Sequence, residues 1–470
     1  MTDKNKALEE ARRVVGYIER DALTTEEKKT IHDDSIANFN ENVNPGWLEY
    51  RKSVSTDGAF IEWTDSVDTF DGFGQKDGEM YDASYIDCLG GFGIYTCGHR
   101  NPEILKIVQA QLSKYALHSQ ELVDPLRGYL ANLTALIAPG DLQHCFFTNG
   151  GAEAVEMALK LARIATGGRY YISTVGAFHG KSMGAISMGG KGAYREDYLP
   201  MIQQVQHVKY GDADAMEAAI KNLITVGEKV AGVILEPIQG EAGVVIPPAG
   251  YLKRVREICD KYEVALIVDE IQTGMGRTGT MFRCEAEGIV PDIMTYGKAF
   301  GGGIMPITGI IARPHVWQQT ENTPKSWTIG QKLIENPWVL GSPTFGGNPL
   351  ACSAAIATIK YMLENDIPGQ CKAKGDYIMG KLEELKKKYP TVLKEYRGAG
   401  LLICMEFPEA EVGYEVIKQM FDRKVMTAGT LVNAKTVRIE PPAVLSDESI
   451  AYVVNALDES IAYTKEKFGL

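Results

Sequence analysis

The sequence is poor in the patterns that mark metal, redox and nucleotide sites. Its eight cysteines (Cys88, Cys97, Cys145, Cys259, Cys284, Cys352, Cys371 and Cys404) form no C-x-x-C pair, and neither they nor the seven histidines show metal-ligand spacing. Most of these cysteines sit in apolar runs, the setting of structural core thiols, so no metal and reduced thiols are expected. There is no G-x-x-x-x-G-K-S/T and no convincing G-x-G-x-x-G, which excludes a P-loop and a dinucleotide fingerprint. No stretch reaches the roughly 18 apolar residues that a membrane span requires. The first residues, MTDKNKALEEARR, are charged and contain no apolar run, so no signal peptide is expected. Basic charge is also in deficit: a net charge of −12, spread without long acidic blocks, disfavours nucleic acid and anionic membrane as partners. Internal repeats and low-complexity tracts are missing. The expectation is a cytoplasmic protein.

What is present is a long chain with an ordinary apolar content. With 470 residues, 45% of them hydrophobic, and a mean hydropathy of −0.14, it can bury a sizeable core. That length predicts two domains, or one large domain with a smaller companion.

Residues 4–20 and 25–42 show helical periodicity, and Thr24-Thr25-Glu26-Glu27 fits a capping box for the second helix. Asn44-Pro45-Gly46 breaks this N-terminal extension. Strand-like runs follow at 59–63 and 84–89, leading into LGGFGIYTCGHRNP, whose glycines suit either a tight turn or a backbone loop facing a ligand. From Ala138 onward, strands alternate regularly with helices. Apolar runs at 145–147, 170–175, 230–235 and 264–268 each end in glycine or polar residues, the pattern of buried parallel strands in an α/β sheet. The turn Thr148-Asn149-Gly150-Gly151 joins one strand to a helix. Glycines there serve a strand-to-helix turn, or leave free backbone N–H groups and a positive dipole end for a phosphate. After Asp366-Ile367-Pro368 the pattern changes to helices and short strands, including 401–407 and 436–439. This last part resembles an α+β lobe that packs with residues 45–100.

The densest stretch is Val264 to Gly303. One apolar run ends in Asp269-Glu270 and the next in Gly297-Lys298, followed by three glycines. A carboxylate and a lysine at neighbouring strand ends would meet at the carboxyl edge of an open sheet, where α/β folds place their ligands.

NGGAEAVE, AFHGK, LEPIQGEAGV, VDEIQTGMGRTG, GKAFGGG and TFGGNPL, in this order over roughly residues 80–445, resemble the class III aminotransferases. That family uses pyridoxal 5′-phosphate (PLP), has fold type I, and contains ornithine, acetylornithine and 4-aminobutyrate aminotransferases. VNPGWLEYRKS, IDCLGGFGIYTCGHRNP, LHSQELVDPLR and TAGTLVNAKTVRIEPP are similar to its putrescine aminotransferase branch. The resemblance implies an α/β fold: a large domain with a mostly parallel central sheet flanked by helices, and a smaller α+β domain. Residues 1–44 would be a helical extension, 45–100 and 366–470 the two parts of the smaller domain, and 101–365 the PLP-binding domain.

By the same resemblance, Lys298 would take the cofactor on its amine and afterwards move a proton, which requires an amine kept partly neutral by desolvation. Asp269 would pair with the pyridine nitrogen. Gly150, Gly151 and the N–H of Ala152 would hold the phosphate; many relatives carry hydroxyl residues at positions 150 and 152, so backbone donors carry more of the binding here. Phe178 would stack on the ring with His179 beside it, unless Phe178 is core, and Gln272 would bond the ring oxygen. Thr344 would add a phosphate contact from the other subunit of a homodimer, or of a dimer of dimers.

The resemblance further implies transamination of a terminal diamine, putrescine or cadaverine, with 2-oxoglutarate as acceptor, giving 4-aminobutanal (cyclising to 1-pyrroline) and glutamate. Arg438 would bind the acceptor's carboxylate bidentately. Glu241 would neutralise Arg438 while the amine is bound, then swing away. Gln120 and Glu121 either accept hydrogen bonds from a distal ammonium, or cap a helix, or line the dimer interface. Ornithine, acetylornithine and 4-aminobutyrate are alternative donors. An aminomutase or decarboxylase on the same scaffold would need no keto acid, and a silent PLP-binding protein would not need Lys298, Asp269 and Arg438 together.

Overall fold

The computed structural model describes residues 4–54, 59–118, 122–327 and 332–470. Three sheets organise them. The first strands, β1 (Phe60–Asp65), β2 (Thr69–Lys76) and β3 (Glu79–Asp87), form an antiparallel meander. The central sheet takes β4 (His144–Thr148), β5 (Tyr170–Thr174), β6 (Val205–Val208), β7 (Val230–Leu235), β8 (Ala265–Asp269), β9 (Ile293–Tyr296) and β10 (Thr308–Ala312), in the order β4-β10-β9-β8-β7-β5-β6. The C-terminal strands are β11 (Glu395–Ala399), β12 (Leu402–Glu406), β13 (Val425–Met426), β14 (Ala428–Gly429) and β15 (Thr436–Ile439). Of these, β13 leaves its neighbours to pair in parallel with β3, while the others form an antiparallel sheet in the order β11-β12-β15-β14.

The alternation of apolar strands and helices is why the central sheet is mostly parallel. VAGVIL of β7 and ALIVD of β8 are buried on both faces, as expected of strands covered by helices above and below. Each fully buried Ile, Leu or Val side chain contributes about 1.5–3 kcal/mol relative to exposure. The exception is β10, which runs antiparallel to both β4 and β9. Its run TGIIA was too short and too close to GKAFGGG to stand out as a separate strand. Because β4 and β9 both oppose β10, they share one direction, and β4, β5, β7, β8 and β9 all present their carboxyl ends along one edge.

Local signals place several helices. Thr24 and Glu27 form the expected capping box, with Thr24 N–H donating to Glu27 Oε2 at 2.8 Å and Glu27 N–H to Thr24 Oγ1 at 3.3 Å. Such a cap is worth about 1 kcal/mol. Asn44 is extended, but Pro45 then starts a new helix, Pro45–Val54, where the Asn-Pro-Gly signal alone predicted only a break. Pro fits a first helical turn, whose N–H groups lack internal partners.

The C-terminal residues return to residues 60–100. Besides the β13–β3 pairing, Glu440 N–H donates to Cys88 O at 2.8 Å and Ala443 N–H to Thr96 O at 2.9 Å. All eight cysteines are free, and all but Cys145 are buried. Among the described residues no helix is long and apolar enough to cross a membrane, and no group of three or more His, Cys, Asp or Glu could hold a metal ion.

Candidate active site

Five strand ends build one side of the site. β8 ends in Asp269, whose carboxylate is fixed by its surroundings: Oδ1 accepts from Ile271 N–H at 3.1 Å and from Thr295 Oγ1 at 2.8 Å. Its Oδ2 lies 2.7 Å from His179 Nδ1, in the loop after β5. Burial pushes the His179 pKa down, but the Asp269 hydrogen bond and charge outweigh it, and the net shift is upward. His179 Nε2 is buried and has no hydrogen-bond partner among the described residues. Phe178, next to it, is half-buried, and its backbone N–H donates to Glu236 Oε1 at 3.0 Å.

Lys298 follows β9 and Gly297. Its backbone adopts φ +48°, the left-handed region that costs an L-residue about 1–2 kcal/mol, and such strain persists where the surroundings over-determine it. Burial pushes the Lys298 amine below the usual lysine pKa; the charges of Glu241 and Glu440 oppose that push and Arg438 adds to it. A buried amine with a lowered pKa is suited to covalent bonding with a carbonyl and to proton transfer.

The helix Gly151–Thr166 begins at Gly150 with no side-chain cap. A side chain at Gly150 would meet nothing within 4 Å, so the approach to the first-turn N–H groups is open. Such a helix start is an anion site in waiting. Thr308, the first residue of β10, ties this turn to the sheet: its Oγ1 donates to Gly150 O at 2.9 Å and lies 2.6 Å from Thr148 Oγ1. Ala152 packs against the loop carrying His179, since a Cβ at Gly180 would lie 2.7 Å from that of Ala152.

The opposite side comes from the C-terminal sheet and the loop after β3. Arg438, on β15 between β12 and β14, is fully buried. Its Nη1 donates to Glu241 Oε1 at 2.6 Å, and its guanidinium carbon lies 5.1 Å from the centre of the Phe92 ring. Glu241 Oε2 accepts from Leu431 N–H at 3.1 Å. Burial raises the Glu241 pKa, but Arg438 and Lys298 more than reverse this and hold it below the usual carboxylate value. Gln272 Nε2 reaches Phe92 O and Glu440 Oε1, both at 3.3 Å. The LGGFG loop makes a tight turn, Gly93 N–H donating to Gly90 O at 2.9 Å, and that turn packs against the site. Gly90 shows why: a Cβ there would lie 1.9 Å from Glu440 O.

Asp269, Lys298, His179, Gln272, Glu241 and Arg438 thus meet in one network, with Gly150, Gly151 and Ala152 at its edge. Thr344 is exposed on a loop whose Gly346 packs on Phe147 O of β4. Gln120 and Glu121 lie outside the described residues.

Four residues were not singled out from the sequence. Glu236 bridges two loops, accepting from Phe178 N–H through Oε1 and from Gly240 N–H at 3.1 Å through Oε2. Burial pushes its pKa up to about 7, with His179 opposing and Asp269 reinforcing. Its signal was available, a carboxylate directly after an apolar strand, as at Asp269. Glu440 directly follows β15, two residues beyond Arg438, and projects to the same side. Phe92 sits among the glycines of its loop. Thr308 had no signal, because its strand was not foreseen.

The residues fit PLP on three counts: an uncapped, open helix start for a phosphate, an orphaned ring nitrogen on His179 beside a buried carboxylate, and a buried amine of lowered pKa.

The comparisons with known proteins agree. The model of the family described as aminotransferase class-III matches residues 75–461. The ornithine aminotransferase from Toxoplasma gondii ME49 superposes with a TM-score of 0.77 at 25% identity, covering 95% of this chain and 97% of that one. An amine transaminase from an uncultivated Pseudomonas species, solved in its PLP-bound form, gives 0.76 at 25% identity over 87% of this chain and 96% of that one. The taurine:2-oxoglutarate aminotransferase from Bifidobacterium kashiwanohense, solved with PLP and glutamate, shares the fold with a TM-score of 0.80 at 24% identity, over 95% and 99% of the two chains.

Proposed function

The chain belongs to the class-III aminotransferases, which depend on PLP, and on that premise we propose that it transaminates a terminal diamine, putrescine or cadaverine, with 2-oxoglutarate as acceptor. The observation that carries this reading is the buried Glu241–Arg438 pair, 2.6 Å between Oε1 and Nη1. A transaminase admits two substrates in turn to one site. Paired with Glu241, Arg438 does not repel an amine with a second positive charge; released from it, Arg438 offers a planar fork to the distal carboxylate of a keto diacid.

When bound, PLP supplies an electron sink for the carbanion left at the substrate's amine-bearing carbon. The chain's own residues do the rest. Lys298 Nζ, desolvated and so more readily neutral, would take the proton from that carbon and pass it to the cofactor side rather than back to the same carbon. Asp269, oriented by Ile271, Thr295 and His179, would hold the ring nitrogen. Gly150, Gly151 and Ala152 would hold the phosphate through backbone N–H groups, Gln272 the ring oxygen, and Phe178 a ring face. Thr344, exposed on its loop, would serve the partner subunit of a homodimer. Eight free thiols suit a reducing, cytoplasmic setting.

Ornithine is the second reading, favoured by the likeness to the Toxoplasma ornithine aminotransferase. A panel of putrescine, cadaverine, ornithine, acetylornithine and 4-aminobutyrate against 2-oxoglutarate, followed by glutamate formation, separates them. Highest kcat/KM with a diamine supports the proposal; highest with an amino acid overturns it.

A further inference from the structure

Resting on that reading, we propose that Glu440 is a specificity-determining residue, the seat for the distal ammonium of the diamine. Arg438 faces two carboxylates rather than one. Glu241 Oε1 takes its Nη1 at 2.6 Å, while Glu440 Oε2 stands 3.6 Å from its Nε. Glu440 is fully buried, yet among the described residues its only side-chain hydrogen bond comes from Gln272 Nε2 at 3.3 Å to Oε1. Among the described residues its Oε2 makes no hydrogen bond, and neither does Arg438 Nε; the two atoms face each other only as the 3.6 Å ion pair. A buried carboxylate so thinly satisfied is costly, and the cost falls when a cation is bound. Glu241 holds Arg438 by a 2.6 Å hydrogen bond, whereas Glu440 reaches it only as an ion pair at 3.6 Å, so Glu440 is the less satisfied of the two carboxylates.

The placement fits a short diamine. Glu440 directly follows β15, its Oε2 lying 3.6 Å from Arg438 Nε, so the two side chains project to the same side, and the backbone of Glu440 is pinned to the LGGFG loop through Cys88 O. In that loop, the Cβ missing from Gly93 would lie 3.6 Å from Lys298 Cδ and 3.7 Å from Glu440 Oε1. The reacting lysine and Glu440 therefore border the same point beside Gly93, with Gln272 Cγ 3.7 Å from it as well, so the two groups lie within reach of one short molecule. A donor with one amine at Lys298 can bring its second to Glu440. A simple alkylamine gains nothing there, and a carboxylate-bearing donor is repelled. The same charge lessens the attraction of Arg438 for the keto diacid, so Glu440 favours one substrate of the pair at the expense of the other.

The test uses the PLP-loaded enzyme and the isosteric Glu440→Gln variant, which retains an acceptor for Gln272. The ratio of kcat/KM for putrescine to that for n-butylamine is expected to fall at least about tenfold, the loss of one charge-assisted hydrogen bond. Calorimetric binding of glutarate, an unreactive dicarboxylate, is expected to tighten at least about threefold as Arg438 loses a competing charge. If Glu440→Gln does not fold, Glu440→Asp carries the test, with preference shifted toward a diamine one methylene longer. A ratio unchanged within about twofold, or glutarate binding that is unchanged or weaker, overturns the proposal. These outcomes are distinct from failure of the donor reading, in which the unaltered enzyme itself turns over 4-aminobutyrate or ornithine and no diamine.

Discussion

The two walls of the site are built in different ways. The wall holding Asp269, Lys298 and His179 is made of strand ends of a single sheet, and Asp269 and Lys298 belong to one short stretch of chain. The wall holding Arg438, Glu241, Glu440 and Phe92 is gathered from a C-terminal strand, the turn after β7 and the loop after β3. The first is rigid by construction, since neighbouring parallel strands fix the spacing of whatever follows them. The second depends on contacts between segments more than 190 residues apart, as between Glu241 and Arg438. The reacting groups thus sit where geometry is cheapest to hold, and the groups that choose the substrate sit where single substitutions can retune them.

Removing groups from the rigid wall should damage turnover with every amine alike. Lys298→Ala is expected to lower amine-dependent turnover by at least about 10⁴-fold; retained turnover would sink the whole assignment. Asp269→Ala should lower kcat by about 10²–10³-fold, the scale for losing one preorganised electrostatic partner, and alter KM for the amine far less. It should also drop the His179 pKa, because burial would act without the opposing Asp269 hydrogen bond and charge. Titration of His179 by NMR would read that shift directly.

The substrate-choosing wall should fail selectively. Arg438→Lys keeps the charge and loses the fork, so kcat/KM for 2-oxoglutarate should fall about 10- to 100-fold. The amine half-reaction, measured in single turnover from the cofactor's absorbance, should change much less. Equal losses in both half-reactions would erase the distinction between the walls. Glu241→Ala should do the opposite, impairing the amine half-reaction by about tenfold; an unchanged amine half-reaction would refute the exchange of partners at Arg438.

How much was legible in the sequence follows the same division. Buried parallel strands announce themselves as continuous apolar runs, so β5, β7 and β8 and the residues that end them could be read directly. The strand β10 could not, because an antiparallel insertion in a parallel sheet has no periodicity of its own. Thr308 went unseen with it. Glu440 was hidden for another reason. TVRIE places it two residues beyond Arg438, but a buried carboxylate's worth depends on which distant segments surround it, here Gln272 and Gly93. Glu236 was the opposite case, a readable strand-end carboxylate outshone by the motif that follows it.

Glu236 links the rigid wall to its loops and gives the smallest expected effect. It accepts backbone N–H groups from Phe178 and Gly240 on separate oxygens. Glu236→Gln would turn an NH₂ toward one of them, costing about 1–3 kcal/mol for an amide left without its acceptor. The pH dependence has a definite sign. Burial raises the folded-state pKa of Glu236 from 4.5 to about 7, so its contribution to stability is full below 4.5 and is lost as pH rises through about 7. Glutamine does not titrate. The difference in Tm between the unaltered enzyme and Glu236→Gln should therefore be widest below pH 4.5, narrow between 4.5 and about 7, and change little above that. A difference that widens toward alkaline pH would mean that the carboxylate is held charged, with the two amides outweighing its burial.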